Sequence, residues 1–230
     1  YDIDDKWSVT AGLRYTKDEK DAVVRNGLIF DNVYPESGWI PGYVRPDGLT
    51  TPVVLDDSES WSKVTPKIGV EYQHSNDLMV FASYSQGFKS GTFNPRATVA
   101  EPAADPEDVD SFEVGIKSDW NDRLRVNATL FMLDHKDRQY IAVIPDENDA
   151  TALNQRLGNV GRSEATGLEL EVTWKASREL EIYGNLGLID AKFEEAITFV
   201  PGTGAVDISD RFSVTNTPET TANIGFSYNM

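Results

Sequence analysis

Two stretches crowd carboxylates: Asp56-Asp57-Ser58-Glu59-Ser60 and Asp146-Glu147-Asn148-Asp149-Ala150. Oxygen donors at that density are what calcium takes, yet neither stretch has the spacing or the central glycine of a calcium-binding loop. Solvated acidic loop is the better reading, because runs of like charge are mostly exposed. His74 and His135 are far apart and near no serine-nucleophile motif, so no acyl-transfer triad is assembled. Without cysteine there is no thiol nucleophile, no disulfide framework and almost no route to a zinc site. No glycine-rich loop follows a strand and opens a helix, as a phosphate cradle requires. Asn127-Ala128-Thr129 has the form of a glycosylation acceptor but falls in mid-strand, beyond the reach of a transferase. No catalytic residue, metal ligand or cofactor is expected, and the chain is not read as an enzyme.

The elements that carry these residues are strands. The chain has 230 residues, a net charge of −17 and a mean hydropathy of −0.41. That charge argues against nucleic acid as a partner, since a phosphate backbone attracts clustered Lys and Arg. No stretch approaches the roughly 18 consecutive apolar residues of a spanning helix. A transmembrane barrel stays open, because only every second residue of its strands faces lipid. The opening residues Tyr1-Asp2-Ile3-Asp4-Asp5-Lys6-Trp7 show neither the basic start nor the apolar stretch of a signal peptide, which predicts a trimmed chain or an internal fragment.

Period-two alternation recurs about eight times with almost no helical spacing, so the fold is predicted to be all-β. Trp7, Val9, Ala11, Leu13 and Tyr15 alternate with Ser8, Thr10, Gly12, Arg14 and Thr16. Thr166, Leu168, Leu170, Val172 and Trp174 alternate with Gly167, Glu169, Glu171, Thr173 and Lys175, and Ala222, Ile224, Phe226 and Tyr228 with their polar neighbours. Further strands are predicted at 61–74, 78–90, 109–120, 123–137 and 180–193. About ten residues per strand, tilted near 45°, span roughly the 25 Å of an outer-membrane apolar band. The joins at 74–77, 121–123 and 177–179 are tight, whereas those at 18–59, 91–108, 144–163 and 194–217 are long. Strict alternation of short and long joins predicts an antiparallel up-and-down transmembrane β-barrel; a Greek-key sandwich has no reason to sort its loops.

If the tight joins share one rim, Trp7, Tyr72, Trp120, Trp174 and Tyr228 fall there, while Tyr15, Tyr84, Phe88 and Phe112 fall at the other, all on the apolar phase. Two aromatic girdles are therefore expected at the membrane interfaces. Strand charges such as Lys63, Glu71, Glu113, Lys117, Glu169 and Glu181 occupy the opposite phase. Met79, Phe81, Phe131, Leu133 and Tyr183 share that phase, where they need either a filling body or close side-chain packing. Pro66 forfeits a ladder donor and predicts a bulge or weakly paired site.

Three stretches carry a family likeness: WSVTAGLRYTKDEK (7–20), YSQGFKSGTFNP (84–95) continuing to PEDVDSFEVGIKSDW (106–120), and GNVGRSEATGLELEVTW (158–174). Together with LRVNATLFMLDHKDRQ (124–139) they resemble the barrel of TonB-dependent outer-membrane receptors. The resemblance implies that residues 1–230 are about eight strands of a barrel of about 22, a plugless, C-terminal-half portion of the receptor domain. It implies the outer membrane of a Gram-negative bacterium, with outer-membrane lipid and lipopolysaccharide around the barrel. It also implies TonB as a partner through an N-terminal region absent here, and import of a scarce small-molecule ligand: ferric siderophore first, or cobalamin or an oligosaccharide. In such receptors ligands meet external loops and the upper lumen, which here points to Lys89, Phe93, Asn94 and Arg96, with Trp39, Tyr43 and Arg45 in the longest loop. Stacking and charge pairing would suit an anionic, aryl-rich ligand. The chain ends in Phe-Ser-Tyr-Asn-Met rather than the family's terminal aromatic, and Tyr1 to Ile3 resemble the tail of a preceding strand with Asp4 and Asp5 in its turn. A small plugless barrel acting as a diffusion pore or structural protein is the alternative, and a soluble β-sandwich binding protein a third reading.

Overall fold

A computed structural model describes residues 1–25, 53–97, 100–145, 153–200 and 203–229. Strands β1 (Trp7–Arg25), β2 (Val53–Ser75), β3 (Leu78–Lys89), β4 (Glu107–Trp120), β5 (Leu124–Pro145), β6 (Leu153–Lys175) and β7 (Leu180–Val200) each pair antiparallel with the next in sequence. Short β8 (Gly204–Asp207) pairs the far end of β7, and β9 (Thr220–Tyr228) pairs its near end. Antiparallel neighbours need only short joins, and the sequence supplies them: Asn121 and Asp122 take φ of 54° and 55° in the turn between β4 and β5, a conformation Asn and Asp tolerate better than most residues. Ahead of β1, Asp4 Oδ1 accepts hydrogen bonds from the backbone N–H of Lys6 and Trp7, both at 2.8 Å. Asp2 bridges Ser8 across that turn, so the outer edge of β1 is already occupied at this point.

Register fixes the two faces. Stepping across the ladder from Trp7 gives Tyr72, Val80, Ile116, Ala128, Leu170, Leu186 and Ala222. Stepping across from Ser8, one residue later, gives Glu71, Phe81, Gly115, Thr129, Glu169, Gly187 and Thr221. A slip of one residue in any strand would scramble both rows, so the period-two pattern of each strand and the pairing of all eight agree. The apolar face is open: Leu13 is 76%, Leu130 56% and Ile224 83% exposed. That is a continuous apolar surface of a kind soluble monomers do not leave uncovered.

On the polar face, large residues sit over glycines. Phe81 is opposite Gly115, Phe131 opposite Gly167 and Tyr183 opposite Gly225. A Cβ on those glycines would lie 2.6, 2.4 and 2.6 Å from the respective rings. The rings lie across the backbone of the neighbouring strand, which accounts for them by packing within the sheet.

Several strand ends differ from the sequence reading. Joins expected at 18–59 and 144–163 contain paired strand, since β1 and β2 stay paired as far as Arg25 opposite Val53, and β5 and β6 as far as Pro145 opposite Leu153. Asp56 to Ser60 therefore lie in β2, not in a loop. The join at 194–217 likewise holds the end of β7, β8 and a 3-10 turn at Ser209–Arg211. Beyond the apolar band neither face needs to be apolar, so the alternation fades while the hydrogen bonds continue. Pro66 makes no bulge against β1; the pairing of β2 with β3 stops beside it, at Lys67 opposite Ser85.

Candidate ligand site at the long-loop rim

The rim opposite the tight turns is built by two tall hairpins, β1–β2 and β5–β6, with the shorter β3 and β4 between them. Between β3 and β4, the described residues 90–97 and 100–106 fill that gap. Gln139 Nε2 closes the neck of this segment by donating to the carbonyls of Ser90 at 3.0 Å and Asp105 at 2.8 Å. Inside it, Thr92 bridges Ala104. Towards β2, Phe93 packs with Leu55 and Trp61 in the buried apolar cluster, and Lys20 Nζ donates to Gly91 O at 2.6 Å. Towards β6, Asn94 Nδ2 donates to Glu101 Oε1 at 2.7 Å and to Gln155 O at 2.9 Å. Residues 90–106 are thus tied to both hairpins at once.

This geometry separates the residues singled out from sequence. Asn94 is 1% and Phe93 7% exposed; both are spent on holding the segment in place. Lys89 keeps 60% of its side chain exposed while Nζ pairs with Glu107 Oε1 at 2.6 Å. Arg96 is exposed, with its backbone N–H donating to Asn94 Oδ1 at 3.0 Å. Trp39, Tyr43 and Arg45 lie outside the described residues, as does the acidic stretch 146–150. Among the described residues no group of carboxylates and histidines has the arrangement to hold a metal ion.

Three arrangements went unmarked in sequence. Glu107 Oε1 also accepts the Gln139 backbone N–H at 3.0 Å, and Oε2 meets His135 Nε2 at 2.5 Å, so one carboxylate ties β3, β4 and β5 together. On the apolar phase, immediately beyond the Tyr84 and Phe112 rings, tilted by 39° with centroids 4.8 Å apart, charges begin. Asp110 accepts from Tyr84 Oη at 2.7 Å and pairs with Lys136 at 2.8 Å, while Asp134 takes Arg162 Nε and Nη2 at 2.8 and 3.0 Å. That belt ends the apolar face at this rim. The third arrangement is an aromatic group of Tyr140, Phe193 and Phe212 beside Arg138, assembled across β6 where Gly161 leaves room. Its signal in the sequence was hidden by a bulge, with Asp137 at φ 54°, that offsets the alternation.

At the opposite rim, the Trp7 and Tyr72 rings meet at a tilt of 38° with centroids 4.6 Å apart, and Trp120 and Trp174 both pair with Leu124. Tyr228 pairs with Leu180. Tyr15 faces Val64, whereas Phe88 faces Asp108 two residues beyond the level of Asp110, past the charged belt. Two aromatic levels on one face, separated by Ala, Val, Leu and Ile and bounded above by charge, are what a sheet crossing a bilayer presents.

A family profile described as TonB dependent receptor-like, beta-barrel, matches residues 1–230. The chain belongs to the TonB-dependent receptor β-barrel family. The metal-pseudopaline receptor CntO of Pseudomonas aeruginosa is 27% identical over 145 residues, covering 63% of this chain and 19% of that protein. The siderophore receptor PiuA of Acinetobacter baumannii superposes with a TM-score of 0.67 at 18% identity, over 98% of this chain and 29% of that one. The ferric yersiniabactin uptake receptor FyuA of Yersinia pestis gives 0.64 at 18% identity, over 97% and 29%. The chain therefore spans about a fifth of the length of the curated relatives it matches. TonB-dependent receptors are outer-membrane transport proteins of Gram-negative bacteria, not an enzyme family, and they work with TonB and small-molecule ligands. This segment of such a barrel forms an open sheet: among the described residues β1 is one edge, β8 and β9 beside β7 form the other, and the two edges do not pair.

Proposed function

We propose that the chain is part of an outer-membrane receptor that imports a scarce ligand with energy delivered through TonB, and that a ferric siderophore is the favoured cargo, ahead of cobalamin or an oligosaccharide. The observation that carries this is the two-faced register that runs across all eight long strands through the apolar band, within a family of TonB-dependent receptors. The named relatives support the cargo class: one is a metal-pseudopaline receptor, one a siderophore receptor and one a ferric yersiniabactin uptake receptor.

In this reading Trp7, Tyr72, Trp120, Trp174 and Tyr228 sit at the inner interface, and Tyr15, Tyr84, Phe88 and Phe112 at the outer one, against lipid and lipopolysaccharide. TonB engages a part of the receptor other than these strands. Lys89 and Arg96 remain the sequence-derived ligand contacts, whereas Phe93 and Asn94 act by shaping the wall of the vestibule. An eight-stranded diffusion pore is disfavoured, because the edge of β1 it would close through is occupied near Ser8 by Asp2.

The test is uptake of a panel of ferric siderophores, cobalamin and oligosaccharides by cells that express the full-length receptor, with and without TonB. One ligand class should enter only when receptor and TonB are both present. Uptake that persists without TonB would overturn the proposal.

A further inference from the structure

Arg138 lies at the long-loop rim, its guanidinium carbon 5.0 Å from the Phe193 ring centroid and 5.5 Å from that of Tyr140. Nη1 donates to Ser163 Oγ at 2.9 Å. At the same rim Lys63, Lys89, Lys136, Arg156, Arg162 and Lys192 all have carboxylate partners. Among the described residues Arg138 has none. Its Nε and Nη2 edge, the planar fork that fits a carboxylate with two parallel hydrogen bonds, is left free. A half-buried guanidinium held over two ring faces without a counter-charge is a site arranged for an incoming anion.

The same two rings border an apolar cavity. Tyr140, Phe193, Ile197, Ile208 and Phe212 line a half-open apolar pocket of about 130 Å³, with Phe193 and Phe212 edge to face at 6.2 Å and 90°. An apolar cavity of roughly 150 Å³ admits a benzene ring. His135, Ser163 and Phe193 share one cross-strand row on the polar phase, which is the lumen side in the receptor reading.

We propose that this is a subsite for a planar anionic aryl group, the ring entering the cavity and its carboxylate taking the open fork of Arg138. The proposal rests on the receptor reading for the side from which ligand arrives, and it makes Arg138 a specificity-determining residue.

The experiment is a titration of purified full-length receptor in detergent with benzoate, acetate and phenol, in the native form and as Arg138→Gln, with β content and thermal unfolding checked for each. Benzoate should bind saturably and at least tenfold more tightly than acetate or phenol, and Arg138→Gln should lose at least tenfold in benzoate affinity with unchanged β content. If Arg138→Gln does not fold, Arg138→Lys keeps the charge without the fork and should bind benzoate severalfold more weakly. Equal benzoate affinity in native receptor and variant, or benzoate bound no better than acetate, would overturn the subsite. Either result leaves TonB-dependent uptake untouched, so failure of the subsite and failure of the receptor reading are read in separate assays.

Discussion

Gly91 sits beneath Trp61, and a Cβ there would fall 2.2 Å from Trp61 Cε2 and 2.4 Å from the Ala104 carbonyl. Neither neighbour can give way cheaply, since Trp61 is 9% exposed in the apolar cluster and the carbonyl accepts the Thr92 N–H. Gly91→Ala is expected to cost about 1–3 kcal/mol of local stability through overpacking. It should free residues 90–106 for cleavage after Arg96 by trypsin while the sheet's circular dichroism stays unchanged. Glu107, with its side chain 6% exposed, is the second such point. Glu107→Ala leaves the Gln139 N–H and His135 without their acceptor and is expected to cost about 1–3 kcal/mol, read by urea unfolding of the full receptor. On the β7–β8 hairpin the backbone N–H groups of Ser209 and Ala196, donating to Asp207 Oδ1 at 2.9 and 3.1 Å, hold its carboxyl below the usual carboxylate range. A depressed folded pKa stabilises above the ordinary carboxylate value, and the gain is lost as pH falls through the folded one. Protection of the Ala196 and Ser209 amides should therefore drop in that acidic window in the native chain and show no such step in Asp207→Asn. At this scale the sequence was partly legible. It marked Phe93 and Asn94 by type and segment, but residue type cannot say whether an aromatic ring faces a ligand or a neighbouring tryptophan.

The strands were legible wherever one face had to be apolar. Leu130 and Thr129 are neighbours on β5, yet Leu130 stands in a row with Val114 and Leu168 while Thr129 stands with Gly115 and Glu169. Leu130→Arg is expected to cost about 2–4 kcal/mol in folding into vesicles, the range for a charge near the midplane of the lipid face. Thr129→Arg should cost less, because the added charge faces the polar side. Refolding titrations of the two variants of the full receptor compare them directly. Strand ends were less legible for the same physical reason. Residues 18–25 and 53–60 carry charge on both phases, so nothing in the pattern distinguishes a tall hairpin outside the bilayer from a loop. The belt of Asp110, Asp134, Lys136 and Arg162 was also missed as a boundary, because these charges occur on the apolar phase and signify only once the register places them next to Tyr84 and Phe112.

At the scale of the molecule the eight long strands form one sheet with an apolar outer face and a polar inner one, and its two edges, β1 on one side and β8 and β9 on the other, do not meet. Unpaired N–H and C=O groups along such edges are tolerated by neither lipid nor water. The segment by itself is therefore expected to produce no stable conductance in a planar bilayer, a result that would also count against the small-pore reading. The up-and-down order and the sorting of short from long joins followed from the sequence. The closeness of 90–106 to both tall hairpins did not, since it depends on contacts between residues more than sixty positions apart, such as Lys20 with Gly91 and Asn94 with Gln155. The central claim is that Val126, Ala128, Leu130 and Met132 of β5, all even-numbered and ahead of its bulge, face lipid. Spin labels placed singly at positions 126 to 133 of the full-length receptor in lipid vesicles test it most directly. Labels at 126, 128, 130 and 132 should collide with dissolved oxygen and be shielded from a water-soluble nickel complex, and those at 127, 129, 131 and 133 should show the reverse. Equal access of the nickel complex to both sets would contradict the account.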